Sequence, residues 1–213
     1  MPSLLMIAKA LFAILFDGKF YQHLGITLWQ VVASMVVGGL AGVGLGLWGG
    51  LKRRFGQAIE PYVYYLAPTP KIIILPVLIL MFGVGSGSKI AMGALSCFFP
   101  ILLSTLAGVW QINPVLIRVG RSFHLSNRQM LTLVYLPAVM RPVITGVRLG
   151  LGMAITGVLL SQIRLSNAGL GFLAISAFQT FQVADMYAIL ILVFALAALA
   201  NAGVASVERR LGG

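Results

Sequence analysis

Five long apolar segments dominate the sequence and constrain its fold more than any other feature. They lie at about residues 24–51, 66–84, 89–110, 138–163 and 185–207. A helix needs about 20 residues to cross the hydrocarbon core of a bilayer. Within lipid every backbone polar group must find a partner, and a helix provides these partners within one segment. We therefore predict an all-α, polytopic integral membrane protein with about five transmembrane helices in a single domain over residues 1–213.

The scarcity of charge supports this interpretation. Charged residues make up 9% of the chain, and the mean hydropathy is +1.02, whereas a soluble domain carries roughly 25% charged residues. The net charge of +11 could suggest nucleic-acid binding. However, the basic residues form no single stripe with interleaved aromatic residues, so we expect no nucleic-acid partner.

The basic residues also predict an orientation. If the loop at 111–137 is cytoplasmic, eleven basic residues share its side and only four lie opposite, at Lys9, Lys19, Lys89 and Arg164. The positive-inside rule then places the C-terminus in the cytoplasm and the N-terminus outside. An N-terminus outside the cell without an export signal is unusual. We therefore expect one further transmembrane helix ahead of the five.

The N-terminal apolar run from Leu4 to Phe16 is shorter than a membrane span. Lys9 lies in its middle, and no small-residue cleavage site follows it, which argues against a signal peptide. We predict that residues 1–23 form an amphipathic segment lying in the membrane interface, with His23 as an interfacial residue.

Small residues recur at every fourth position in two of the apolar segments. The first stripe contains Ser34, Gly38, Gly42, Gly46 and Gly50, and the second contains Gly146, Gly150 and Ala154. Helices in lipid associate through close packing, which such stripes permit. We predict that these glycines lie at tight helix–helix contacts.

Prolines interrupt the second apolar segment, and Pro70 and Pro76 each remove a backbone donor. A broken helix at membrane depth is tolerated where it is buried in protein or lines a wet cavity. Pro70 and Pro76, with Ser161 and Gln162 on the fourth segment, are candidate residues of a translocation path. Ordinary kinked packing remains the alternative for the prolines.

The loop at 111–137 carries clear signals for two short helices. Asn113 and Pro114 mark the start of the first, whose apolar residues share one face. Ser126 and Gln129 form a capping box that opens the second, and Leu136–Pro137 is expected to end it. Such a loop either rests on lipid headgroups or docks a cytoplasmic protein.

The same loop resembles a known family. Arg118-Val-Gly-Arg-Ser-Phe-His124, and then Val134-Tyr-Leu136-Pro137, match the spacing of the EAA loop of ABC importer permeases. The flanking sequence is similar to the nitrate/sulfonate/taurine/bicarbonate branch at Ala67 to Pro76, Phe82 to Gly85, Ser88 to Ile90, Phe99 to Leu102, Leu106 to Gly108, Thr145 to Leu149 and Gly169 to Gly171.

The resemblance implies a type I importer permease fold and a cytoplasmic coupling loop that seats in an ATPase subunit. Its contact residues would be Arg118, Val119, Gly120, Arg121, Ser122, Phe123, His124, Ser126, Leu136 and Pro137. Three positions depart from the family pattern: Arg118 replaces Glu, His124 replaces Gly, and Gln162 replaces a common Glu. A histidine takes a positive φ less readily than glycine, so the turn at His124 is expected to differ.

The resemblance also implies the partners. These are a second permease subunit, two ATPase subunits that bind ATP and Mg, and a periplasmic or lipid-anchored substrate-binding protein, besides membrane lipid. The chain itself would bind no cofactor or metal. The substrate would be a small organic or inorganic anion, and Lys89 and Arg164 at the outer mouth could favour one, although they could equally contact lipid headgroups or the binding protein.

Enzymatic chemistry finds no support in the sequence. The run from Gly83 to Lys89 has the wrong register for a phosphate-binding loop, and the four acidic residues are widely scattered, which excludes paired-carboxylate catalysis. The lone Cys97 can form no intrachain disulfide. The alternatives to an importer permease are an ATP-independent secondary transporter or channel subunit, and a membrane scaffold that binds a cytoplasmic partner.

Overall fold

The computed structural model describes residues 2–212, and all the regular secondary structure in this range is helical. The side chains of residues 207 and 209–212 lie outside that description. Arg209 and Arg210, which are predicted to be cytoplasmic, are among them. The helices are α1 (Leu4–Phe16), α2 (Gly18–Leu51), α3 (Arg53–Leu66), α4 (Leu75–Phe82), α5 (Ser86–Trp110), α6 (Pro114–Ser122), α7 (Asn127–Gln129), α8 (Leu136–Arg164), α9 (Leu170–Gln179) and α10 (Val183–Gly212). A 3₁₀ turn at Lys71–Ile74 precedes α4, and a π-helical stretch at Met130–Tyr135 precedes α8. The all-α prediction is confirmed.

Four of the five predicted spans are single long helices in this structure. They are Gly18–Leu51, Ser86–Trp110, Asn127–Arg164 and Val183–Ser206. The first begins at Gly18, so the final residues of the predicted interfacial segment, including His23, belong to α2. The rest of that segment forms α1, which packs mainly against α10; its place in the interface stays a prediction.

The predicted break in the span at 66–84 is confirmed at Pro70, whereas Pro76 lies in the first turn of α4 and breaks no helix. The chain forms α3 and then the segment Lys71–Phe82, with a bend of 91° between them. Pro68 and Pro70 lie in the break, where each lacks an N–H group and disfavours helical geometry in the residue before it. The four-residue 3₁₀ turn and the eight-residue α4 reach only about 20 Å, which is less than the thickness of a bilayer core.

The expected stop at Leu136–Pro137 is also wrong. Residues Asn127–Arg164 form one continuous helix of 38 residues, and Pro137 lies in the first turn of α8. The π-helical stretch just before it explains the continuity. In a π turn the N–H group bonds to the carbonyl five residues back, which shifts the hydrogen-bond register past the N–H that Pro137 lacks. The loop at 111–137 therefore runs directly into a candidate membrane span.

Helix α5 lies at the centre of the bundle and packs against both α2 and α8. The glycines of the first stripe meet α5 directly: a Cβ atom at Gly38 would lie 2.4 Å from the Ala94 carbonyl oxygen, and one at Gly46 would lie 2.6 Å from Thr105 Cβ. Gly42 and Gly50 also face α5, and Gly146 and Gly150 approach it from α8. Close helix approach therefore explains why these positions carry no side chain.

Candidate coupling surface and outer polar cluster

The coupling loop contains two capped helices. The Val115 N–H donates to Asn113 Oδ1 at 2.9 Å, which opens α6. In the capping box that opens α7, the Ser126 N–H donates to Gln129 Oε1 at 2.9 Å and the Gln129 N–H donates to Ser126 Oγ at 3.4 Å. Both predicted caps are confirmed. They fix where each helix begins, because the first N–H groups of a helix have no partner within it.

His124 ends α6 in the left-handed conformation, with φ at +52°. Its N–H donates to the Arg121 carbonyl at 2.9 Å, and the Leu125 N–H donates to the Gly120 carbonyl at 3.2 Å. These two bonds form a Schellman motif, in which glycine is the usual left-handed residue. His124 therefore adopts the left-handed conformation itself, although a histidine does so less readily than glycine. A left-handed conformation costs a non-glycine residue roughly 1–2 kcal/mol, and the two hydrogen bonds offset that cost.

Gly120 lets α6 lie directly on the helix that follows the turn. A Cβ atom at this position would lie 2.6 Å from Met130 Sδ and 3.2 Å from Val134 Cγ2. Both of these side chains belong to the π-helical stretch. Helix α6 therefore packs directly against the continuous helix Asn127–Arg164.

An exposed apolar groove of about 690 Å³ runs between α6 and the start of α8. Phe123 leaves 76% of its surface exposed at the edge of this groove, and Leu116 and Val119 are half exposed beside it. Pro137 lines the opposite wall, and Leu136 lies partly exposed beside it. The predicted apolar face of α6 is therefore not covered within this chain.

The basic and polar residues of α6 lie off this apolar face. Arg118 and Arg121 are exposed on α6, and the Ser122 hydroxyl donates to the Arg118 carbonyl at 3.1 Å. Helix α6 thus combines an uncovered apolar face with exposed basic residues elsewhere on its surface. An amphipathic helix of this kind either rests on lipid headgroups or docks a partner protein.

The candidate path residues do not share one surface in this subunit. Ser161 and Gln162 are completely buried, whereas Pro70 and Pro76 are exposed on the broken segment. Gln162 lies at the centre of a polar cluster: its Nε2 donates to Gln30 Oε1 at 2.8 Å and to Thr27 Oγ1 at 3.1 Å, and its Oε1 accepts from the Gly171 N–H at 2.9 Å. The amide is thus fully hydrogen-bonded, which offsets the cost of burying it.

Lys89 does not reach the outer mouth. It is 1% exposed, and its ammonium donates to the backbone carbonyls of Val84 and Leu165. It thereby ties the α4–α5 connection to the end of α8. The prediction that Lys89 lies at a surface, where it would contact an anion, lipid headgroups or the binding protein, is wrong because its side chain is buried inside the subunit. Arg164, by contrast, is exposed.

Near the middle of α8, Arg148 joins α8 to α10. Its Nη1 lies 3.3 Å from Glu208 Oε2, and its Nε donates to Asn201 Oδ1 at 3.1 Å. The Thr145 hydroxyl donates to Glu208 Oε1 at 3.1 Å. The pair is partly exposed, so its hydrogen bonds matter more for geometry than for stability.

The interpretation of His23 as a simple interfacial residue missed its role in the polar cluster, and it missed Thr27 and Gln30 altogether. The signal is present in the sequence: His23, Thr27, Gln30 and Ser34 follow one another at intervals of four, three and four. That spacing places them on one face of a helix. Polar residues on one face of an apolar membrane helix indicate contacts inside the bundle.

Comparison with known proteins identifies the family. The family model for the inner membrane component of binding-protein-dependent transport systems matches residues 42–213. The chain belongs to this family. It is a multi-pass inner-membrane permease subunit of an ABC importer, and ATP hydrolysis belongs to a separate subunit.

The relatives of this permease include three with named transport systems. It is 30% identical to the taurine transport system permease protein TauC of Escherichia coli, over 92% of this chain and 71% of that protein. It is 27% identical to the putative aliphatic sulfonates transport permease protein SsuC of Bacillus subtilis, over 99% and 76%. It is 26% identical to the bicarbonate transport system permease protein CmpB of Synechococcus elongatus, over 85% and 68%.

A solved structure shares the fold of this permease. The MetNI methionine ABC transporter, in an inward-facing conformation, contains a chain that superposes with a TM-score of 0.72 at 16% sequence identity. The match covers 99% of each chain. The predicted type I importer permease fold is thereby confirmed.

Proposed function

We propose that the 111–137 loop docks an ATPase subunit through the exposed apolar groove of α6. The observation that carries this proposal is the exposure of Leu116, Val119 and Phe123 on one rigid, doubly capped helix. A helix that presents apolar side chains at helical spacing is suited to a groove in a partner. Exposed aromatic side chains of this kind often contribute most of the binding energy of an interface.

The complete transporter in this proposal contains a second permease subunit, two ATPase subunits and a substrate-binding protein outside. ATP and Mg bind only to the ATPase subunits. The C-terminus and the coupling loop are cytoplasmic, which is supported by the excess of Lys and Arg on that side of the chain.

Docking would reach the membrane through the continuous helix Asn127–Arg164. Because Gly120 holds α6 against Met130, closure of the ATPase dimer displaces α6 and this helix together. Arg148 then carries the displacement to α10 through Asn201 and Glu208. The ATPase biases the permease between two states only if its contacts with the loop differ between them.

We propose a small anion as substrate, of the sulfonate, taurine, bicarbonate or nitrate type. The named systems of TauC, SsuC and CmpB support this class. The exposed Arg164 at the outer end of α8 supports it too, since a cation there raises the local concentration of anions. Lys89 contributes no direct contact in this proposal because it is buried.

Replacement of Phe123 by alanine tests the docking proposal, with Phe194→Ala as a matched control. Phe194 is 71% exposed on α10, close to the 76% of Phe123, but lies in a membrane span. Loss of a buried interface phenylalanine costs at least about 2 kcal/mol, which weakens binding roughly 30-fold. We expect Phe123→Ala to lose the ATPase during purification from native membranes while Phe194→Ala retains it.

Equal ATPase recovery with both variants would contradict the docking surface. Transport that continues at full rate after ATP is removed would contradict the whole assignment and favour a secondary carrier. The two outcomes are distinguishable, because the first concerns one surface and the second concerns the energy source.

A further inference from the structure

Three consecutive backbone N–H groups at the start of α9 are each bound by a side chain from another helix. The Gly169 N–H donates to His23 Nδ1, the Leu170 N–H to Thr27 Oγ1 and the Gly171 N–H to Gln162 Oε1, all at 2.9 Å. The first N–H groups of a helix have no partner within it, so these three bonds complete the first turn of α9. Two of the three acceptors belong to α2 and one to α8.

The bond to Gly169 determines the protonation state of His23. A backbone N–H can only donate, so Nδ1 must accept, and the imidazole proton lies on Nε2. The ring is therefore neutral in this structure. It also stacks on Phe172, the third residue of α9, with ring centroids 5.9 Å apart. His23 thus holds the start of α9 both through Nδ1 and through its ring face.

Gly169 itself can take few other positions. Its φ is +105°, and an added Cβ atom would lie 2.4 Å from Gln162 Cδ. The α8–α9 connection is therefore shaped around the acceptors that receive its N–H groups. If the acceptor at His23 is lost, this connection loses the bond that fixes its last residue.

We propose that His23 is a positioning residue for α9, and that protonation of Nδ1 releases the first turn of α9 and makes the outer side of the permease acid-sensitive. The imidazolium form donates from both nitrogens, so Nδ1–H would face the Gly169 N–H and the two would repel. Free histidine side chains change charge near pH 6.5, within the range that an outer surface meets.

The charged groups around His23 permit this protonation. A cavity of about 330 Å³ beside the ring is lined by Asp17 at the α1–α2 junction, Lys19 on α2 and Asp185 on α10. The neighbours from α9 in this cavity, such as Ser176 and Thr180, are uncharged, and α8 contributes the neutral Gln162. With His23 neutral, two carboxylates and one ammonium leave one net negative charge. Protonation brings the sum to zero, so the imidazolium does not add to an existing positive charge.

Thr27 and Gln162 retain their acceptors at any pH in this range, because a hydroxyl and an amide do not titrate there. Acid therefore removes one of the three hydrogen bonds to the start of α9 and leaves the other two in place. The expected effect is local opening of residues 165–171, not unfolding of the bundle.

Hydrogen exchange on the full-length permease in lipid nanodiscs tests the proposal across about pH 5 to pH 8. After correction for intrinsic rates, we expect the protection factor of the Gly169 amide to fall as acid protonates His23, by up to about tenfold for each pH unit. The Thr180 amide, which bonds to the Ser176 carbonyl at the other end of α9, serves as the internal control and should show no such change. Equal pH dependence at both amides would overturn the proposal without any variant being needed.

Two variants sharpen the result. In His23→Asn, the amide oxygen stands near the place of Nδ1 and cannot titrate, so protection of Gly169 should stay independent of pH. In His23→Ala, protection should be low at every pH. Protection in the alanine variant equal to that of the wild type would show that His23 does not position α9.

A transport assay then tests whether the bond between His23 and Gly169 affects transport, and this step rests on the proposed function and orientation. In proteoliposomes with the interior buffered and only the outer pH varied, the wild type should lose transport in acid and His23→Asn should not. If exchange follows the prediction but transport does not, the positioning role stands and the orientation or transport role is at fault. If exchange of the Gly169 amide is independent of pH, the proposed release of α9 by protonation of His23 is refuted.

Discussion

Replacing Gly38 by alanine tests the close packing of α2 on α5. The new Cβ atom would lie 2.4 Å from the Ala94 carbonyl oxygen and 2.5 Å from Cys97 Sγ, whereas non-bonded heavy atoms prefer about 3.5–4.0 Å. The two helices must separate by about 1 Å, which forfeits a quarter to a half of the dispersion energy along the contact. Overpacking of this kind costs roughly 1–3 kcal/mol.

Gly44→Ala on the same helix is the matched control, because an added Cβ atom there meets nothing within 4 Å. Both variants gain the helix propensity of alanine, about 1 kcal/mol, so that gain cancels in the comparison. The difference of ~1–3 kcal/mol should appear as a melting temperature lower by about 2–4 °C for each kcal/mol in a chain of this size. Thermal unfolding in nanodiscs measures it, and equal stability of the two variants would refute the reasoning.

Three further predictions concern the departures from the family pattern. His124→Gly should stabilise the turn by ~0.5–1 kcal/mol because glycine adopts the positive φ without strain. Hydrogen exchange of the Leu125 amide should then slow about two- to fivefold, and faster exchange of this amide would contradict the prediction. Arg118→Glu should weaken ATPase association several-fold, less so at high salt, and unchanged assembly with unchanged transport-linked hydrolysis would exclude a role for this charge. Gln162→Leu should lower the stability of the bundle in thermal unfolding by ~2–5 kcal/mol, because Gly171, Gln30 and Thr27 lose their hydrogen-bond partner. The control is Thr156→Val at an exposed position, and an equally small change in both variants would contradict a stabilising role for the polar cluster.

Local signals in the sequence predicted the capped helices of the coupling loop and the glycine stripes well. Asn113 and the Ser126–Gln129 pair act within three residues of themselves, so their effect can be read without knowing the fold. The stripe that includes Gly38 predicts that some helix approaches closely. The identity of that helix, α5, depends on the whole bundle and emerges only in the structure.

The errors arose where one local signal competed with another or with tertiary structure. Pro137 looked like a helix stop, but the π-helical stretch before it keeps the helix continuous. No simple sequence pattern predicts a π-helical stretch. Pro76 looked like a helix breaker, but it lies in the first turn of α4, where the N–H that it lacks has no partner within the helix. Lysine side chains are usually exposed, so Lys89 was expected at a surface. Its ammonium instead donates to two backbone carbonyls in the interior, and one of them, Leu165, is far away in sequence.

Site-specific photo-crosslinking tests the central claim about coupling most directly. A photoreactive amino acid is placed at Phe123 or, as the control, at Phe194 in the assembled transporter, and irradiated in native membranes with and without ATP. The docking surface predicts a covalent adduct between the permease and an ATPase subunit from position 123, with a yield that changes on ATP binding, and none from position 194. No ATPase adduct from position 123, or the same adduct from both positions, would contradict it.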